Sequence, residues 1–145
     1  MKSTQVNVAP ITCNLSNLNV FTTDPDAEYP ETILRQDKPF SLGVTVEFGG
    51  PGAIALVPLC LSIKINFFAD PYGVSSKVEL GNTMMETSAR IFTYTPTLTI
   101  ATPAAVGLVP EEIYQITAVL RVGAPNWPAL ITGYIEGLAL QTYLP

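Results

Sequence analysis

Two stretches of strict alternation dominate the chain. From Phe40 to Phe48, Phe40, Leu42, Val44, Val46 and Phe48 alternate with Ser41, Gly43, Thr45 and Glu47. From Leu59 to Phe68, Leu59, Leu61, Ile63, Ile65 and Phe67 alternate with Cys60, Ser62, Lys64, Asn66 and Phe68. Successive side chains on a strand point to opposite faces, so the pattern predicts two strands, each with one buried face. A helix needs apolar residues three and four apart, and neither stretch supplies that spacing as cleanly. Gly49, Gly50, Pro51 and Gly52 close the first strand, and Asp70, Pro71 and Gly73 close the second.

A third alternation, Tyr114, Ile116, Ala118, Leu120 and Val122 against Gln115, Thr117, Val119 and Arg121, predicts a strand over Ile113 to Val122. The remaining signals are shorter. Val6 to Phe21 changes parity near Ser16 and Asn17, which predicts a bulge or kink. Thr22 to Lys38 is a polar loop holding a short edge segment at Ile33 and Leu34. Ser76 to Leu80 reads as a short strand, followed by a turn at Gly81-Asn82. Ala89 to Ile100 reads as an edge or bulged strand, because Pro96 cannot donate to a ladder. Leu130 to Leu144 is the last strand, with Gly133 and Gly137 marking bulges or close backbone approaches. About seven strands with turn signals roughly every ten residues predict an all-β, single-domain antiparallel β-sandwich spanning residues 1–145.

The segment Leu108-Val-Pro-Glu-Glu-Ile-Tyr114-Gln-Ile116-Thr-Ala118-Val-Leu120 resembles the penultimate strand of immunoglobulin-like and fibronectin type III-like sandwiches. In those folds a Tyr near the start of this strand bonds back to upstream backbone. Tyr114 sits at the matching place. Ile116 stands where an immunoglobulin Cys would be, and the third strand carries no core Trp. The resemblance is to a fold and implies a Greek-key order, not a function.

Composition narrows the function classes. A hydrophobic fraction of 48% is incompatible with disorder, and a charged fraction of 13% is about half the roughly 25% usual in globular domains. A lone soluble domain usually wears more charge, so the low fraction leans toward a partner. The net charge is -5 and the seven basic residues are scattered, which argues against nucleic acid and against an anionic membrane surface. The longest apolar run, Ala53 to Leu61, contains Pro58 and falls well short of the ~20 residues of a membrane span. The first residues, Met1 to Asn7, hold no apolar signal-peptide core, so the expected location is cytoplasmic. Cys13 and Cys60 are too few for a disulfide scaffold and are expected as buried thiols in a reducing compartment.

The chemistry of catalysis is sparse. There is no His, which removes the usual general base and the commonest transition-metal ligand. Gly49-Gly50-Pro51-Gly52 lacks the Lys of a phosphate loop. The acidic run Asp24-Pro-Asp26-Ala-Glu28, with Glu31 beyond, offers oxygen ligands of the kind Ca²⁺ takes, but without EF-hand spacing it reads as a solvated loop. The expectation is a protein without enzymatic activity and without a cofactor.

The sharper signal is apolar side chains in expected loops. In an immunoglobulin-like order the connections after strands two, four and six share one end. Here they are Gly49 to Pro58 with Ile54 and Leu56, Gly81 to Ser88 with Met84 and Met85, and Gly123 to Pro128 with Trp127. Exposed, such residues form a patch that docks a protein partner or a second copy of the chain. Folded back, they plug the end of the core. The expected function is thus an interaction or assembly module that self-associates through these loops or a sheet edge. The alternative is a carbohydrate-binding sandwich using the rings of Trp127, Tyr134 or Tyr143.

Overall fold

The apolar parity of Phe40 to Phe48 becomes the inner face of a central strand. The computed structural model describes residues 12–22, 32–124 and 127–145. β1 (Thr12–Phe21), β3 (Phe40–Gly49), β6 (Thr93–Tyr94) and β7 (Thr97–Ile100) form one sheet, with β3 between β1 and the β6/β7 pair. β2 (Ile33–Arg35), β4 (Ser62–Pro71), β5 (Val78–Glu86), β8 (Ile113–Ala124) and β9 (Trp127–Tyr143) form the other, in the order β2-β9-β8-β4-β5. After β2 the chain crosses from the four-stranded to the five-stranded sheet between β3 and β4, returns between β5 and β6, and crosses again between β7 and β8, which gives the Greek-key character of an immunoglobulin-like sandwich.

The two inner faces meet in one core. Phe40, Leu42, Val44, Val46 and Phe48 of β3 face Ile63, Ile65 and Phe67 of β4 and Tyr114, Ile116, Ala118, Leu120 and Val122 of β8, all buried. Full burial of one such aliphatic or aromatic side chain is worth roughly 1.5–3 kcal/mol, so the strands with the clearest alternation also hold the fold together. The Tyr114 hydroxyl accepts the Val109 N–H at 2.9 Å, the upstream backbone bond that the resemblance implied.

Several expectations are corrected. Gly49 to Pro58 is not an irregular loop. It forms α1 (Pro51–Leu56) and a 3₁₀ turn over Val57–Leu59, so the second organising strand begins at Ser62 rather than Leu59. Pro51 opens the helix because its fixed φ suits the first turn and its missing N–H has no partner there anyway. Gly81-Asn82 is not a turn: β5 runs through it to Glu86, with a bulge opposite Phe67 and Phe68 where Gly81 takes a φ of 136°. Gly123 to Pro128 is a hairpin with Ala124 paired to Trp127, and residues 125–126 lie outside the described residues. The parity change in the first strand is a bulge at Asn17, and Gly137 is a second at φ 122°. Gly133 sits in regular register opposite Leu120. The edge segment at Ile33 and Leu34 exists, but it pairs parallel with β9 at Gln141–Tyr143, whereas the other described strand pairs are antiparallel.

Candidate functional site

The strand registers bring the three predicted apolar segments to one end of the sandwich. Ser62 at the start of β4 lies opposite both Glu86 at the end of β5 and Gly123 near the end of β8. Ala124 pairs with Trp127 beyond them, and on the other sheet Gly49 closes β3 opposite Thr12. α1 and the 3₁₀ turn bridge the two sheets across this end.

This bridge is a cap with two faces. Gly52, Ala53 and Val57 are buried in the core. Ile54 is 71% exposed and Leu59 is 57% exposed. The cap is pinned by Thr87, whose hydroxyl donates to the Val57 carbonyl and accepts the Leu61 N–H. Beside it, Tyr94 organises the link from β5 to β6: its hydroxyl accepts the Ser88 N–H at 2.8 Å and donates to the Ile91 carbonyl at 2.6 Å. The Tyr94 ring meets Phe48 edge-on, 6.0 Å between centroids. From Phe48 to Ile63 the chain carries no charged residue.

The five sequence-predicted residues separate. Ile54 faces solvent on the cap. Met84 is 62% exposed on the outer face of β5, while its neighbour Met85 turns inward and packs against the core. The side chains of Leu56 and Trp127 lie outside the described residues, and so does the acidic run Asp24 to Glu31. Leu59 was missed, because its parity matched the strand that follows. The signal was Pro58, which breaks a ladder one residue earlier. A second set of exposed apolar side chains, Tyr72, Val74, Val109, Ile113 and Leu144, also escaped sequence reasoning. Tyr72 and Ile113 meet at the opposite end, where the Tyr72 N–H donates to the Ile113 carbonyl. That end is charged by contrast, with Glu112 accepting the Gly73 N–H and Lys77 within 4.0 Å of Asp70.

The thiols are free. Cys13 is half-buried on the inner side of β1, and burial pushes its thiol up to about 11. Cys60 is exposed, against the expectation of two buried thiols, because it sits between the cap and β4 in a left-handed conformation (φ 57°). Tyr134 is exposed on the outer face of the five-stranded sheet and Tyr143 is half-buried. Among the described residues, no three Cys, Asp or Glu side chains are grouped as a metal site would require. No helix among them is long and apolar enough to cross a membrane.

No family model matches this chain, and no curated protein matches it. Solved structures are distantly similar to it at low identity. A β-glucosidase from Listeria innocua is 11% identical with a TM-score of 0.48, over 94% of this chain and 17% of that one. The major subunit of aggregative adherence fimbriae type I from Escherichia coli is 9% identical with a TM-score of 0.42, over 99% of this chain and all of that one. β-Glucosidase 3B from Thermotoga neapolitana is 12% identical with a TM-score of 0.42, over 87% of this chain and 16% of that one. This chain thus spans about a sixth of the glucosidases' length. These are distant structural likenesses, without a specific family.

Proposed function

We propose that this chain is a non-enzymatic assembly module that associates with a second copy of itself through the cap end. The observation that carries the reading is the outward pair Ile54 and Leu59 on a cap whose inner face is locked into the core. An apolar patch on a segment without charged residues from Phe48 to Ile63 is complementary to itself, so two copies can bury it about a twofold axis. A surface held rigid before binding also loses little entropy on docking. The two free thiols support a reducing compartment such as the cytoplasm.

Strand addition is the weaker route, because the long edges are interrupted. β1 carries the bulge at Asn17, β5 the bulge at Gly81, and the β6/β7 edge is cut by Pro96. Among the described residues β9 is paired by β2 only at its last residues, and the strand carries the bulge at Gly137. Bulges and prolines are how sheet proteins discourage edge-to-edge pairing.

Light scattering after size exclusion tests the proposal. The expected mass is a whole multiple of 15.6 kDa, and the double substitution Ile54→Asp, Leu59→Asp is expected to return it to the monomer while leaving the thermal midpoint nearly unchanged. A wild-type monomer throughout a concentration series overturns the proposal.

A further inference from the structure

The outer face of the four-stranded sheet carries a groove of about 540 Å³. It lies on a different face from the cap, so a ligand there does not depend on self-association. Its floor is the middle of β3. There Gly43 stands between Asn19 of β1 and Thr97 of β7 in one row across the sheet. With no side chain at position 43 the row dips. A Cβ placed there would meet the Phe21 ring at 3.4 Å and the Thr97 hydroxyl at 3.6 Å, so any larger residue fills the groove.

The described banks mix amide and hydroxyl groups with the Leu18 and Phe21 side chains. Asn17, Asn19 and Phe21 of β1 form one side, and Thr95 and Thr97 form the other. The bulge puts Asn17 (φ 53°) on the bank as an extra residue, and its amide donates to the Thr45 hydroxyl at 3.4 Å. The Asn19 amide and the Thr95 hydroxyl make no hydrogen bond to any described residue, so both are free for a ligand. Among the described residues, no charged side chain lines the groove.

We propose that this groove binds a neutral saccharide segment. A charged ligand would find no opposite charge among the described lining residues. A wholly apolar ligand would cover free amide and hydroxyl groups without replacing their bonds to water, which is unfavourable. A pyranose offers hydroxyls at its rim and a C–H face, which match the Asn and Thr banks and the Phe21 ring. The volume falls within the about 300–1,000 Å³ typical of small-molecule sites. An open groove on a sheet face suits a segment within a longer glycan.

The test is a glycan array, followed by titration of the ¹⁵N-labelled protein with the neutral oligosaccharide retained best. The expected result is saturable shifts confined to the backbone amides of Gly43, Thr45 and Thr97 and the side-chain amides of Asn17 and Asn19. Asn19→Ala, an exposed change that leaves the core intact, is expected to weaken binding about two- to tenfold, the worth of a lost hydrogen bond. Gly43→Val is expected to abolish it. Should Gly43→Val fail to fold, Phe21→Ala takes its place. Retention of acidic glycans alone, retention of none, shifts elsewhere on the molecule, or affinity unmoved by Asn19→Ala each overturn the proposal. So does a neutral peptide that shifts the same amides when no glycan does.

Discussion

The Thr87 hydroxyl donates to the Val57 carbonyl oxygen at 2.7 Å. The Thr87 hydroxyl oxygen itself accepts the Leu61 N–H at 2.8 Å, and the Thr87 N–H returns a bond to the Leu61 carbonyl at 2.8 Å. Thr87 is 2% exposed, so these bonds form away from water. One residue past the end of β5 thereby fixes the 3₁₀ turn and the start of β4 together. The cap is part of the sandwich and not a loop draped over it, and Ile54 and Leu59 are presented in a fixed arrangement.

Thr87→Val tests this directly. Valine keeps the shape and strands the Val57 carbonyl and the Leu61 N–H in the core. The expected cost is about 1–3 kcal/mol, read as a lowered urea midpoint with an unchanged slope. Thr87→Ser keeps the hydroxyl and is expected to recover most of the loss. Hydrogen exchange at the Leu61 amide is expected to quicken in the valine variant alone. Wild-type protection there in Thr87→Val would remove the clasp from the account.

Two tyrosines play related parts at opposite ends, one in each sheet. Tyr114 of β8 holds the Val109 N–H, and Tyr94 of β6 holds the Ser88 N–H and the Ile91 carbonyl. Both changes to Phe keep the ring packing and remove only the oxygen. Tyr94→Phe is expected to destabilise more than Tyr114→Phe, because it leaves two backbone partners without their bond rather than one. Each lost bond is worth about 0.5–1.5 kcal/mol. Equilibrium unfolding of the two variants ranks them, and the reverse order would contradict the assignment.

The fold was legible wherever one face of a strand is dry. β3, β4 and β8 have buried inner faces and at least partly wet outer faces, and their alternation survives in the sequence. The cap was not legible. In the run Ala53-Ile54-Ala55-Leu56-Val57 both faces of a short helix are apolar, so neither period stands out and the prolines were the only punctuation. β5 was cut short for a related reason. Gly81-Asn82 is a good turn by chemistry, but here the Gly supplies the positive φ of a bulge, and only the partner strand β4 tells the two apart. The groove had no sequence signal at all. Gly43, Asn19 and Thr97 are remote along the chain and become neighbours only through register. Of the candidate patch, the shared end followed from the Greek-key order. The inward turn of Met85 followed from the parity of β5, which a loop assignment had hidden.

The thiols are expected to react at very different rates. Cys60 is exposed, while Cys13 is half-buried with its thiol raised to about 11 by burial. At pH 8 only about 0.1% of Cys13 is thiolate, the reactive form. One thiol is expected to label quickly with a maleimide in the native protein and the second only on unfolding. Peptide mapping would identify the quick one as Cys60. The sign for stability follows from the same shift. A thiol raised above its ordinary value of 9.0 favours the native state while it is protonated, so its contribution is full below pH 9 and is lost as pH rises toward 11. Cys13→Ser is expected to flatten the alkaline side of the stability profile. Rapid native labelling at Cys13 would show that β1 does not cover it.

The interrupted edges make the last prediction. β6 and β7 are two short pieces because Pro96 has no N–H for β3, although its carbonyl accepts the Val44 N–H at 3.3 Å. Pro96 is buried on the core side, so valine can take its place without adding polar surface to the interior. Pro96→Val restores the missing donor and lets residues 93–100 run as one flat edge strand beside β3. Such an edge is a template for another chain. The variant is expected to aggregate faster than its parent in quiescent solution. The comparison belongs in the Ile54→Asp, Leu59→Asp background, where association through the cap is removed and only edge pairing is read. The thermal midpoint is expected to hold or rise slightly, since the change adds a ladder bond inside the sheet. Faster aggregation without loss of stability separates edge pairing from simple unfolding. An unchanged aggregation rate would mean that Pro96 shapes the path of the chain and does not guard the edge.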